Sequence, residues 1–176
     1  MGADREASRR EGRVKRAPAV RLRQPRPGDY GWVVQAHGAL YGREFGYDVT
    51  FEGFVAGLVA DYIRKHDARR ERCWIADLGG QPVGSVFCVR QSATTAKLRM
   101  LILAPEARGH GAGRKLVSAC IRFARAKGYR RLVLWTQDDL TAARAIYVAA
   151  GFRLVKTEPH ASFGRKLVGE YWSLAL

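Results

Sequence analysis

Residues 97–124 read KLRMLILAPEARGHGAGRKLVSACIRFA, and three textures follow one another within them. Lys97 to Leu103 is an apolar-rich run ended by Ala104-Pro105, a strand and its stop. Arg108-Gly109-His110-Gly111-Ala112-Gly113 is a glycine-rich loop. Leu116, Val117, Cys120, Ile121 and Ala124 then recur at helical spacing from a start near Gly113, and Gly128 closes that helix. This order brings unpaired N–H groups and the positive end of a helix dipole to one point after a strand. Glycines let the backbone approach an anion closely and adopt positive φ. The stretch predicts a phosphate cradle flanked by Arg108 and Arg114, the alternative being a plain glycine-rich turn.

Two other phosphate loops fit poorly. A P-loop needs Gly-Lys-Ser/Thr after four spacers, and Lys115 has no hydroxyl neighbour in place. A dinucleotide fold needs its glycines after an early strand, with an acidic residue about 20 positions on. Here the glycines recur at spacing two, after the fourth strand.

Upstream, Val20-Arg21-Leu22-Arg23 alternates as a short strand and meets Pro25 and Pro27. Asp29 is placed to cap a helix from about Tyr30 to Arg43. Thr50 precedes a continuous apolar stripe of Phe51, Phe54, Val55, Leu58, Val59, Tyr62 and Ile63, a second helix. Arg72 to Asp77 and Pro82 to Arg90 read as a hairpin around Gly79-Gly80. Downstream, Arg131 to Thr136 is an apolar strand of the kind buried on both faces. Asp138 or Asp139 caps a helix carrying Ala143, Ile146, Tyr147 and Ala150, closed by Gly151. Phe152 to Lys156 and Glu170 to Leu176 are the last strands. The order β-α-α-β-β-β-α-β-α-β-β predicts an α/β (α+β) fold with a mixed sheet and helices on its faces.

The chain has 176 residues, 47% of them apolar, enough for one domain with a real core. No apolar run is long enough to span a membrane, and three widely spaced cysteines exclude a disulfide-dense scaffold or a paired-cysteine zinc site. A reducing, cytoplasmic setting is the default. The formal net charge is +15, and residues 1–27 carry nine Lys/Arg against three Asp/Glu. Residues 1–19 lack apolar periodicity and are expected to be a disordered basic tail ahead of a domain spanning residues 20–176. The tail has no apolar segment of a secretory signal, and Asp4, Glu6 and Glu11 argue against a mitochondrial presequence. It is either merely solvated or a nucleic-acid-binding arm.

Arg108-x-x-Gly111-x-Gly113 after a strand resembles motif A of the GCN5-related N-acetyltransferases, the GNAT superfamily, over about Val20 to Leu176. Ala143-x-x-x-Tyr147-x-x-x-Gly151-Phe152 resembles a second motif of that family at the expected separation. Four stretches look like the acetyltransferase half of MarR-type regulator–acetyltransferase fusions: His37 to Tyr41, Glu71 to Ala76, Ala96 to Arg99, and Pro159-His160-x-Ser162-Phe163-Gly164. The resemblance implies a largely antiparallel sheet of about seven strands with the fourth and fifth splayed apart. It implies acetyl-CoA as cosubstrate, no metal, and direct transfer of acetyl to a small-molecule amine or amino-acid-like acceptor; a homodimer is compatible with it. Protein lysine or N-terminal acetylation, or a DNA-associated module with a sensory or vestigial CoA site, are the alternative functions. Ile102 and Leu103 would offer backbone groups to the pantetheine, and Arg108, Gly109, His110, Gly111, Ala112, Gly113 and Arg114 would hold the pyrophosphate. Where the family often has a cofactor-contacting Asn, this chain has Leu140, beside Asp139.

Acetyl transfer needs a deprotonated amine, a donor to the oxyanion and a proton for the departing thiolate. The resemblance makes Leu103 N–H the oxyanion donor and Tyr147 the general acid. Glu44, Glu52 and His160 are the candidate bases; Glu52 stands at the start of the second helix, where its other reading is a solvent-facing glutamate stabilising the helix N-terminus, and a water relay can replace a dedicated base.

Overall fold

The computed structural model describes residues 19–176, so the expected basic tail, Ala19 apart, falls outside the described residues. Seven strands, β1 (Arg21–Arg23), β2 (Arg72–Leu78), β3 (Gln81–Arg90), β4 (Thr95–Leu103), β5 (Arg131–Gln137), β6 (Arg153–Ser162) and β7 (Arg165–Ala175), form one sheet in the order β1-β2-β3-β4-β5-β7-β6. Every pairing is antiparallel except β4 with β5. The lone parallel pair is the one bridged by a helix, α3 (Ala112–Ala126), as a crossover connection requires. The other helices are α1 (Asp29–Phe45), α2 (Val49–Lys65) and α4 (Thr141–Ala149), with a short 3-10 turn at Pro105–Ala107. No helix among the described residues is long and apolar enough to cross a membrane.

Strand alternation divides the core into two layers. Ala76, Val86, Cys88, Leu98, Leu132 and Leu134 point towards Leu116, Val117, Cys120 and Phe123 of α3. Cys73, Ile75 and Phe87 point the other way, towards Val33 of α1 and Phe51, Val55, Val59 and Tyr62 of α2. The apolar stripe of α2 is the face that buries, although Phe54 and Ile63 at its edges stay exposed.

Three helix starts differ from expectation. Asp29 is the first residue of α1 rather than its cap, and it is buried, accepting from Arg23 at 2.5 and 3.1 Å and from the Arg26 N–H at 2.5 Å. Arg23 also donates to Asp77 at 2.7 Å, so one guanidinium joins β1, α1 and β2. The cap of α2 is Asp48, which accepts from the Thr50 N–H at 3.0 Å. Neither Asp138 nor Asp139 caps α4; Leu140 occupies that position with no side-chain bond.

The final strands are longer than the pattern predicts. β6 and β7 form a hairpin whose turn residues, Phe163 and Gly164, have φ of 57° and 74°, a tight-turn conformation. Pro159 reads as a strand breaker, but β6 lies at the sheet edge, where a missing N–H donor costs no ladder bond.

Candidate active site

β4 and β5 are paired only from Thr95↔Arg131 to Leu98↔Leu134. Beyond that point β4 stays with β3 and β5 stays with β7, so the two strands part. The parting begins at a bulge. Ser85 pairs with Ile102 and Phe87 with Arg99, so Val86 faces both Met100 and Leu101. Met100 has φ of 51°, and the buried Ser85 hydroxyl donates to its carbonyl at 2.9 Å. The kink turns the end of β4 away from β5 and opens the sheet.

Two hollows occupy the gap and share Tyr41, Leu101, Leu140 and Ala143 as a common wall. The first is a slot of about 210 Å³ between the end of β4 (Leu101 to Leu103) and α4 (Thr141 to Ile146). The second is a cavity of about 410 Å³ on the α1/α2 side, walled by Tyr41, Tyr47, Phe51, Phe54, Trp135 and Phe163.

The glycine loop lies at the outer end of the slot. Gly109 and Gly111 have φ of 77° and 70°, and Gly111 is the N-terminal cap of α3 without any side-chain cap. Among the described residues, no acceptor meets the N–H groups of Gly111, Ala112, Gly113 or Arg114; the first intrahelical bond is Lys115 N–H to Gly111 C=O at 3.0 Å. Those four donors and the helix dipole present partial positive charge to an anion. Arg108 differs from expectation. Its N–H donates to Pro105 C=O at 3.1 Å, and its guanidinium donates to both Glu44 oxygens at 2.9 and 3.0 Å. Arg108 therefore ties the loop to α1 and lines the slot, with its backbone donor already used.

Tyr147 reaches the cavity from α4 and is only 4% exposed. Burial, with Tyr41 and Cys120 nearby, holds its phenol protonated far above the ordinary range. Its hydroxyl makes no hydrogen bond among the described residues, yet it is not sealed off; the Tyr41 hydroxyl is in the same condition. Tyr47 donates to Asp139 at 3.2 Å, and Arg165 reaches the other Asp139 oxygen at 3.3 Å.

None of the three candidate bases lines the cavity. Glu52 is exposed and packs its carboxylate against Gly38 of α1, lining neither hollow. Glu44 is paired with Arg108. His160 sits behind the cavity wall: Gln137 Oε1 accepts from its Nε2 at 2.8 Å, and Ser162 Oγ lies 3.0 Å from Nδ1. The histidine that does line the cavity is His37. Its Nδ1–H donates to Val33 C=O at 2.7 Å, and burial lowers its pKa to about 4, so its Nε2 is left as a neutral acceptor. Lys97, Arg99 and Gln137 complete the polar part of the wall. None of these is marked by spacing in the sequence, except that Lys97 and Arg99 interrupt an apolar strand at every second position.

Residues 26–152 match the model of the acetyltransferase (GNAT) family. The chain is 31% identical over 107 residues to a mycothiol acetyltransferase of Saccharomonospora viridis, a match covering 61% of this chain and 29% of that protein. It thus spans less than a third of the length of that relative. It is 30% identical over 147 residues to an uncharacterized N-acetyltransferase of Schizosaccharomyces pombe, covering 75% of this chain and 78% of that protein. In fold it is similar to a structure from Salmonella typhimurium described as a putative acetyltransferase with its cofactor acetyl-CoA, with a TM-score of 0.69, 18% identity, and 89% and 94% of the two chains covered.

Proposed function

The chain belongs to the acetyltransferase (GNAT) family, and we propose that it transfers acetyl from acetyl-CoA to the amine of a small-molecule, amino-acid-like acceptor, directly within a ternary complex. The observation that carries this reading is that a slot and a cavity meet at the parting of β4 and β5, with an anion cradle at the outer end of the slot and the protonated phenol of Tyr147 in the cavity wall. Two hollows with one shared wall suit two substrates bound together.

The residues fit acetyl-CoA. The free N–H groups of Gly111 to Arg114 are donors for the pyrophosphate, with Gly109 and His110 completing the loop. Ile102 and Leu103 border the slot in which the pantetheine would run, and Leu103 N–H is the proposed oxyanion donor. Leu140 supplies an apolar wall to both hollows where a polar contact is common in the family. Acetyl-CoA supplies the acyl carbonyl and a thiolate leaving group.

Tyr147 is the proposed general acid: its O–H donates the proton that the departing sulfur takes, and the proton lost by the amine restores the balance through solvent. A dedicated carboxylate base is not part of this proposal, because no carboxylate among the described residues lines the cavity. The wall itself favours a neutral amine, since it is largely apolar and carries Lys97 and Arg99, which disfavour an added ammonium charge. His37 Nε2 is an acceptor for an amine N–H.

The likeness to the acetyltransferase half of MarR-type fusions bears on the same cavity. His37 and Tyr41, Lys97 and Arg99, and Phe163 come from three of the four similar stretches and all line it.

Calorimetry with acetyl-CoA on the wild type and on Gly111→Glu tests the reading. Binding lost in the variant, together with CoA release on adding an amine, supports it. Absence of acetyl-CoA binding to the wild type overturns it.

A further inference from the structure

Lys97 and Arg99 stand two apart on β4, so strand alternation puts both on the face towards α1 and α2. Leu98 between them is buried in the opposite layer against α3. Both cations line the acceptor cavity and are half-buried. Burial lowers both pKa values, and for Lys97 the neighbouring Arg99 adds to it, so these are incompletely hydrated charges. Neither has an ion-pair partner among the described residues.

The carboxylates closest in effect are committed elsewhere. Asp61 and Glu71 act on Arg99 only through space, across a second depression that the two cations also border. Asp61 is held by Arg64 at 2.7 Å and Lys65 at 3.5 Å. Glu71 accepts from the Arg90 N–H at 2.9 Å and faces His66 at 3.8 Å. Partly desolvated cations are costly to leave without a counter-charge, and a cavity otherwise walled by aromatic rings offers none.

We propose that Lys97 and Arg99 are an anion subsite of the acceptor cavity, and that the acceptor is an amine carrying a carboxylate on an apolar or aromatic body. This inference rests on the acetyltransferase reading above. The planar fork of Arg99 matches a carboxylate, and Lys97 adds a point charge beside it. The rings of Phe51, Phe54, Trp135 and Phe163 receive the apolar body. Cationic acceptors such as polyamines are disfavoured by the same two charges.

The test compares phenylalanine, leucine and methionine with their amides, at saturating acetyl-CoA, with spermidine as the cationic control. We expect kcat/KM at least tenfold higher for the acids than for the amides, and spermidine to be the poorest acceptor. In Arg99→Gln and Lys97→Gln the acid-to-amide ratio should fall towards one, and Arg99→Lys should restore part of it. Acetyl-CoA affinity of each variant reports that it is folded. A second readout is independent of turnover: N-acetylphenylalanine should bind the CoA-saturated protein more tightly than its amide, and the difference should vanish in Arg99→Gln. The phosphonate analogue of phenylalanine separates the source of the charge: if preferred to phenylalanine, it keeps the subsite and reassigns its ligand to phosphate chemistry. Amides or spermidine acetylated as well as the acids, or a ratio unchanged in both Gln variants, would overturn the subsite. Loss of acetyl-CoA binding in the wild type would instead remove the underlying reading.

Discussion

Ile146 of α4 holds its Cδ1 2.5 Å from the point where a Cβ on Gly113 would stand, and Leu103 Cδ1 lies 3.1 Å from the same point. The missing side chain lets the first turn of α3 seat between the end of β4 and α4. Gly113→Ala should therefore push aside the ends of Ile146 and Leu103, with a net stability change within about 1 kcal/mol because the helix propensity of Ala offsets the overpacking, and should weaken acetyl-CoA binding by displacing the cradle. Denaturant unfolding and calorimetry on the same variant measure both. Gly111→Ala meets no neighbour within 4 Å, but its φ of 70° is left-handed. It should cost about 1–2 kcal/mol through backbone strain alone.

Tyr147→Phe deletes one oxygen from a buried ring that also packs edge-on to Phe152 at 5.8 Å. Packing is kept and the proton donor is lost. We expect kcat to fall by about a hundredfold with acetyl-CoA affinity unchanged within about twofold. An unaltered kcat would exclude the general-acid role.

Glu170 is buried, and its Oε2 accepts from both Arg144 and Trp172 Nε1 at 2.9 Å. It anchors α4 to β7 behind the cavity. Glu170→Ala should destabilise by about 1–3 kcal/mol, chiefly because the buried Trp172 Nε1–H is left unpaired, while the part-exposed Arg144 can turn to water. Arg144→Ala leaves the buried carboxylate with only its Trp172 bond and no counter-charge, and should cost at least as much. Paired urea titrations distinguish the two.

Acid should destabilise the domain in two stages. His37 has its pKa lowered by burial to about 4, against about 6.5 in an unfolded chain. The unfolded state gains a proton first, so the stability from neutral His37 is full above pH 6.5 and is lost as the pH falls towards 4, on the order of 3 kcal/mol. The imidazole proton resonances of His37 should titrate near pH 4, and His37→Phe should remove this first stage. A resonance titrating near pH 6.5 would contradict the burial argument.

The second stage belongs to Asp29 and Asp77. Burial alone would raise the Asp29 pKa, but the Arg23 guanidinium and the Arg26 N–H outweigh it and hold it low. Arg23 also lowers Asp77. Their contribution is full above about pH 4, the unfolded value, and is lost as the pH falls through the lowered folded values. In Arg23→Met the decline below pH 4 should flatten and the midpoint at neutral pH should drop.

The element types and their order were legible in the sequence because they depend on local periodicity. The stripe of α2, the apolar run of β5 and the glycines before α3 each determine their own backbone. Helix caps were less legible: Asp29 and Asp139 suit caps equally well by type, and Arg23 on β1 and Arg165 on β7 decide where their charges go. The pattern stops β6 at Lys156 and starts β7 at Glu170; the longer hairpin accommodates Pro159 because β6 is an edge strand, and edge position is a property of the whole sheet.

By itself the sequence determined a mixed sheet with a glycine cradle at a helix start and a tyrosine on the following helix. These are short-range features, set by which backbone angles and hydrogen bonds each residue allows. The tertiary structure alone decided which side chains share the cavity. It set Glu52 against Gly38, His160 behind Gln137, and His37 beside Lys97 and Arg99 in one wall. Burial, counter-charge and proton affinity are properties of neighbours brought together by folding, and residues sixty positions apart acquire them only when the sheet and helices close around them.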